Sequence, residues 1–163
     1  MKTKLLTICL LLVTSQVFAS DDLSGKKLSC YQHYYIQTYN FEDNKNFTSH
    51  RYENPKKPPR ETYGKYNIPQ FSEYIHLKTN AAERWRHYRI NRKTLRVDFC
   101  DYGNCDRAGL EYYCKLFKGT LQELKEHAQK ENVKRINTIN EKQKKEKLKE
   151  KKEWEKKKKK FKL

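Results

Sequence analysis

Two histidines fall in neighbouring stretches of alternating residues, His76 in "FSEYIHLKT" and His87 in "RWRHYRINRKTLRVDFC". If those stretches pair as strands, both imidazoles can face one another. Two histidines near a lysine supply the acid and base that phosphodiester cleavage needs. Four cysteines, Cys30, Cys100, Cys105 and Cys114, offer a second chemistry, either two disulfides or a thiolate metal site. A third resource is the densest charge of the chain: Lys156, Lys157, Lys158, Lys159 and Lys160, flanked by Trp154 and Phe161. Such a cluster holds phosphate- or carboxylate-bearing surfaces without reading sequence. Trp154 and Phe161 are seven residues apart, so on a helix they lie on nearly one face, and both ring types favour a membrane interface.

The first nineteen residues bear on which chemistry applies. Lys2 and Lys4 precede the apolar run "LLTICLLLV", and "VFA" closes the segment. A basic head, a short apolar middle and a small-residue exit describe a cleavable export signal. The run falls short of the ~20 residues that span a bilayer. The chain is therefore expected to be exported, periplasmic or secreted, and thiols in such a compartment oxidise. Two of the 37 lysines and arginines, and none of the 20 acids, fall in residues 1–19, which leaves a net charge of +15.

Export favours disulfides, and three pairings of four cysteines are possible. The expected set is Cys100 with Cys105, closing the turn "CDYGNC", and Cys30 with Cys114, tying the first strand to the last. The rival is a four-thiolate zinc site, whose ligand pairs are usually two to four residues apart. Only Cys100 and Cys105 approach that spacing. The chain holds no H-E-x-x-H, no acidic calcium loop and no G-x-S-x-G turn, so no metal, cofactor or serine nucleophile is expected.

The elements that must carry these residues follow from composition. All 12 tyrosines lie between Tyr31 and Tyr113, and tyrosine suits pleated, half-buried surfaces. Alternation predicts strands in 27–41 (one long or two short), 46–52, 71–79, a hairpin over 84–100, and 110–117. In that hairpin Arg86, Tyr88 and Ile90 share one parity and Leu95, Val97 and Phe99 another. Outward arginines (Arg84, Arg86, Arg89, Arg92, Arg96) beside tyrosines would make a cationic face able to stack on ligands, or would simply guard a sheet edge. The stretch 54–69 holds all 4 prolines and is predicted to be a loop, since proline donates nothing to a ladder.

Gly119 ends the strand pattern, and Thr120 with Glu123 matches the reciprocal cap that begins a helix. Leu121, Leu124, Ala128, Ile136 and Ile139 then recur at helical spacing, a stripe for docking on the sheet or on a second copy as a coiled coil. Beyond residue 140 the stripe ends and lysine and glutamate dominate.

The expected organisation is an export signal (1–19), a β-rich disulfide-containing domain (20–118) and a lysine-rich helix (119–163). The fold class is α+β: a small antiparallel meander, as an open sheet or partial barrel, then a long basic helix. The expected role is a non-enzymatic binding module held electrostatically to an anionic envelope surface or ligand, such as anionic lipid or envelope glycan. Extracellular nucleic acid is a further candidate partner, as is a homo-oligomer through the 121–139 helix. The alternative is a small basic secreted hydrolase or nuclease using His76 and His87.

Overall fold

Strands form where tyrosine and β-branched residues alternate, and more of them pair than the pattern predicts. The computed structural model describes residues 23–80, 86–100 and 112–160. These contain β1 (Lys27–Tyr31), β2 (Ile36–Phe41), β3 (Asn46–Tyr52), β4 (Arg60–Asn67), β5 (Tyr74–Thr79), β6 (Arg86–Asn91), β7 (Arg96–Cys100), β8 (Tyr112–Leu116) and the helix α1 (Leu121–Lys160). Each strand pairs antiparallel with the next, and β8 returns to β1 with Leu28 opposite Leu116 and Tyr31 opposite Tyr113. The result is a closed eight-stranded barrel, not the open sheet or partial barrel expected. Closure gives the first and last strands the partners that an open sheet would deny them.

One open local expectation resolves and another changes. The segment 27–41 is two strands, because the turn between Gln32 and Tyr35 closes through Gln32 N–H to the Tyr35 carbonyl at 3.0 Å. That turn reverses the parity, so Leu28 and Cys30 face inward before it, and Tyr39 and Phe41 after it. The proline-rich stretch is not all loop either. Pro55, Pro58 and Pro59 precede β4 and Pro69 follows it, so the prolines bracket a strand instead of interrupting one.

The interior is graded along the barrel axis. At one end Leu23, Phe41, Phe47 and Tyr66 form a floor, with the Phe41 and Tyr66 rings 4.9 Å apart in edge-to-face contact. Ile75, Leu77, Ile90 and Val97 fill the middle. In the β6–β7 hairpin Tyr88 meets Phe99 across the strands, as predicted, at 5.4 Å. Toward the other end the lining turns polar. Cys30 and Cys114, directly opposite in the β1–β8 register, are joined by a disulfide inside the barrel wall.

α1 opens with the cap read from sequence: Thr120 N–H donates to Glu123 Oε2 at 2.7 Å, and Glu123 N–H to Thr120 Oγ1 at 3.2 Å. The helix packs on the outside of β1, β2 and β3 through Leu124 and Ala128, both fully buried. The next position in that stripe is Asn132, also fully buried, and its Oδ1 accepts from Arg135 Nη2 at 2.8 Å. Arg135 then donates to the carbonyls of His33 and Glu53, both at 2.9 Å. These carbonyls lie in the β1–β2 turn and just past β3, at the polar end of the barrel. The helix therefore runs from the floor to the mouth and continues beyond it.

Candidate functional site

Past Asn140 every described side chain of α1 is exposed. Residues 141–160 carry twelve lysines against five glutamates, an arm of about 30 Å at 1.5 Å per residue. Lys149 and Glu153 approach to 4.0 Å, an exposed pair that adds little rigidity. Lys158 Nζ sits 3.9 Å from the centre of the Trp154 ring, which places a cation and an aromatic face side by side. Lys156, Lys157 and Lys159 are likewise exposed, whereas the Lys160 side chain and Phe161 lie outside the described residues.

The arginine-bearing hairpin is less free than its sequence suggests. Asp98, almost fully buried, accepts from Arg89 Nε at 2.8 Å and from Arg96 Nε at 3.0 Å. Arg89 also lies over the Tyr74 ring at 4.5 Å. One carboxylate thus offsets part of this face's charge and fixes two of its guanidinium groups. Arg92 is bonded back to the Ser72 carbonyl at 3.4 Å; Arg84 and the Arg86 side chain lie outside the described residues.

His76 and His87 stand on this same outward face. His76 is opposite Arg89 and His87 opposite Lys78, so the two imidazoles are diagonal neighbours on a convex, solvent-facing sheet. Burial, Arg89 and His87 together hold the His76 imidazole below the ordinary histidine value. Among the described residues no group of three or more histidines, cysteines and carboxylates is placed to hold a metal ion. Cys30 and Cys114 are bonded to each other, and Cys100 is also disulfide-bonded. Cys105, its expected partner, lies outside the described residues. Disulfide formation removes these sulfurs from the thiolates a zinc site would require.

Leu124 and Ala128, two of the five residues proposed for pairing with a second copy, are occupied by the chain's own barrel. Beneath them runs an outward row of Ser29, Thr38 and His50 across β1 to β3, all buried. His50 is 2% exposed, and its Nε2 is 3.6 Å from Glu61, too long for a hydrogen bond. Burial first, then Lys125, holds this imidazole below its usual range against the opposing pull of Glu61. Below about pH 6.5, the ordinary histidine value, an unfolded chain takes up a proton that the folded one refuses. Stability should therefore fall with acidification from pH 7, and His50→Gln should flatten that fall. Chemical denaturation at pH 7 and pH 5 measures it; equal pH slopes for both proteins would remove His50 from the account.

The barrel mouth holds a site that the sequence pattern does not announce. There Gln37, Ser49, Arg51, Arg60, Thr62 and Thr79 line a cavity of about 30 Å³, room for one or two waters. Arg51 and Arg60 are directly opposite across β3 and β4. The Arg51 guanidinium lies 3.8 Å above the Tyr35 ring. Its Nε is 2.6 Å from a Glu53 carboxylate oxygen, yet that N–H is not aimed to make a hydrogen bond. The only advance signal was period-2 parity: Arg51 shares the inward parity of Phe47 on β3, as Arg60 shares that of Tyr66 on β4.

Among the described residues no helix is long and apolar enough to cross a membrane. Compared with known proteins, the chain matches no family model, no curated protein and no solved structure.

Proposed function

We propose that the protein is an exported, non-enzymatic binding module that associates electrostatically with an anionic envelope surface, using its barrel as a rigid base and its distal helix as the contact. The observation that carries this reading is the arm itself: twelve lysines on a helix whose last twenty residues pack against nothing described. A helix stabilised only by its own turns would fray, but this one is anchored by Leu124, Ala128 and Arg135 on the barrel. Each lysine near an anionic bilayer contributes about 1 kcal/mol, and the attraction fades within a Debye length. Trp154 adds an aromatic ring suited to the headgroup layer. Anionic lipid and anionic glycan present the same charge, so a lipid surface serves as the probe.

Vesicles of neutral lipid, with and without anionic lipid, test the arm against a chain ending at Asn140. The truncation leaves every described helix–barrel contact in place, so far-UV circular dichroism should show the barrel intact. The full chain should sediment with anionic vesicles at low salt and be released at high salt, whereas the shortened chain should stay in solution. Equal sedimentation of the two proteins would overturn the proposal.

A further inference from the structure

We propose that the barrel mouth is a second, separate binding site, one that takes the oxyanion group of a small ligand, a carboxylate or a phosphate, between Arg51 and Arg60. This deepens the binding role proposed above, but its residues are all in the barrel and none is in the arm.

Arg51 and Arg60 form an opposed pair. Like charges directly opposite on neighbouring strands destabilise a sheet, and here two arginines occupy the same register position and line one cavity. Glu53 stands beside one of them, in a rim position where its side chain is 59% exposed. No described carboxylate pairs with Arg60. An oxyanion between the two would turn a repulsion into two charge-assisted contacts, for which the guanidinium fork is well shaped.

The lining of the mouth suits a polar ligand. An eight-stranded barrel is just wide enough to be filled by side chains or to hold one small ligand. This barrel does the first at its floor and changes character at its mouth, where Gln37, Ser49, Thr62 and Thr79 join Tyr39 and Tyr88 in the lining. Buried polar groups stay bonded in most folded proteins. Yet the Thr79 hydroxyl, on a residue only 5% exposed, has no partner, and the Ser49 hydroxyl has only a long 3.4 Å contact to the Thr62 carbonyl. A ligand oxygen in the cavity would satisfy them. The site is also preorganised: the Tyr35 ring beneath Arg51 is itself packed against Tyr112 at 6.3 Å. That stack fixes the guanidinium plane before anything binds and lowers the entropy lost on binding.

Titrating the full mature chain with inorganic phosphate and, separately, with butyrate tests the site, using amide NMR at constant ionic strength with chloride as the control. The ionic strength is set near 0.15 M, where charges more than ~8 Å apart are largely screened. Saturable shifts at Arg51, Thr62 and Thr79 are expected with at least one probe; butyrate alone would assign a carboxylate, phosphate alone a phosphoryl group. Arg60→Gln should weaken that binding at least about tenfold while raising the melting temperature of the free protein, because it removes the opposed charge. Neutralising the arm (K156Q, K157Q, K158Q, K159Q and K160Q together) should leave the affinity unchanged, which separates this site from the vesicle contact. No saturable shift with either probe overturns the proposal. So does an Arg60→Gln protein that binds as tightly as the parent, or that melts lower.

Discussion

Replacing Cys30 and Cys114 together by alanine should lower the stability of the folded chain by about 4 kcal/mol, the largest single effect expected of any exchange here. The two cysteines are 84 residues apart in sequence, so their bond removes much of the freedom of the unfolded chain, a gain that grows with loop length. It also sits where the barrel most needs it. Among the described residues β8 pairs with β7 only through Arg96 opposite Tyr113 and Val97 opposite Tyr112, whereas four pairs join β8 to β1. Without the bond β8 is held by the four-pair ladder to β1 and the two-pair seam to β7 alone. Urea unfolding followed by circular dichroism reads the change, with mass spectrometry confirming that Cys100 stays oxidised in the variant. A loss below about 1 kcal/mol would show that the ladders close the barrel unaided.

Gly64→Ala should cost about 3 kcal/mol, near the upper end for overfilling a packed core. Gly64 lies in β4 facing the floor, opposite Phe47 in the register. A Cβ added there would meet the Phe47 ring and the Lys78 carbonyl oxygen, each at 2.5 Å. The ring can be trimmed, but the carbonyl belongs to the β5 backbone and cannot move without opening the β4–β5 ladder. Phe47→Leu should therefore rescue Gly64→Ala only in part. Thermal unfolding of both singles and the double forms the cycle, and full rescue would show that only the ring was in the way.

That glycine also explains what could and could not be read from sequence. The hairpin from β6 to β7 was legible because its period-2 pattern is local and its turn is short. Asn91 caps that turn by accepting from the amides of Lys93 and Thr94 at 3.0 and 2.9 Å. The start of α1 was legible because Thr120 and Glu123 act within three residues of each other. β4 was hidden: prolines crowd its approach, and Gly64 reads as a breaker unless the ring it accommodates is known. Barrel closure was hidden for another reason. An open meander and a closed barrel have the same pattern strand by strand and differ only in whether β1 meets β8. The helix blurred the alternation further, since Ser29, Thr38 and His50 face outward yet are buried beneath it. At the mouth, Arg51 and Arg60 are nine positions apart in the chain, and nothing local announces that they line one cavity.

Arg135 grips the barrel at its polar rim, and so the lysine arm leaves the molecule at the mouth end rather than the floor end. A positive field therefore lies at the same end as the opening, and at low salt it should gather small anions near Arg60 faster than diffusion to the bare barrel would. Should the arm lie down on a charged sheet of lipid or sugar, the opening would be turned toward that sheet. Capture and anchoring would then happen on one side of the protein, with the closed floor facing away.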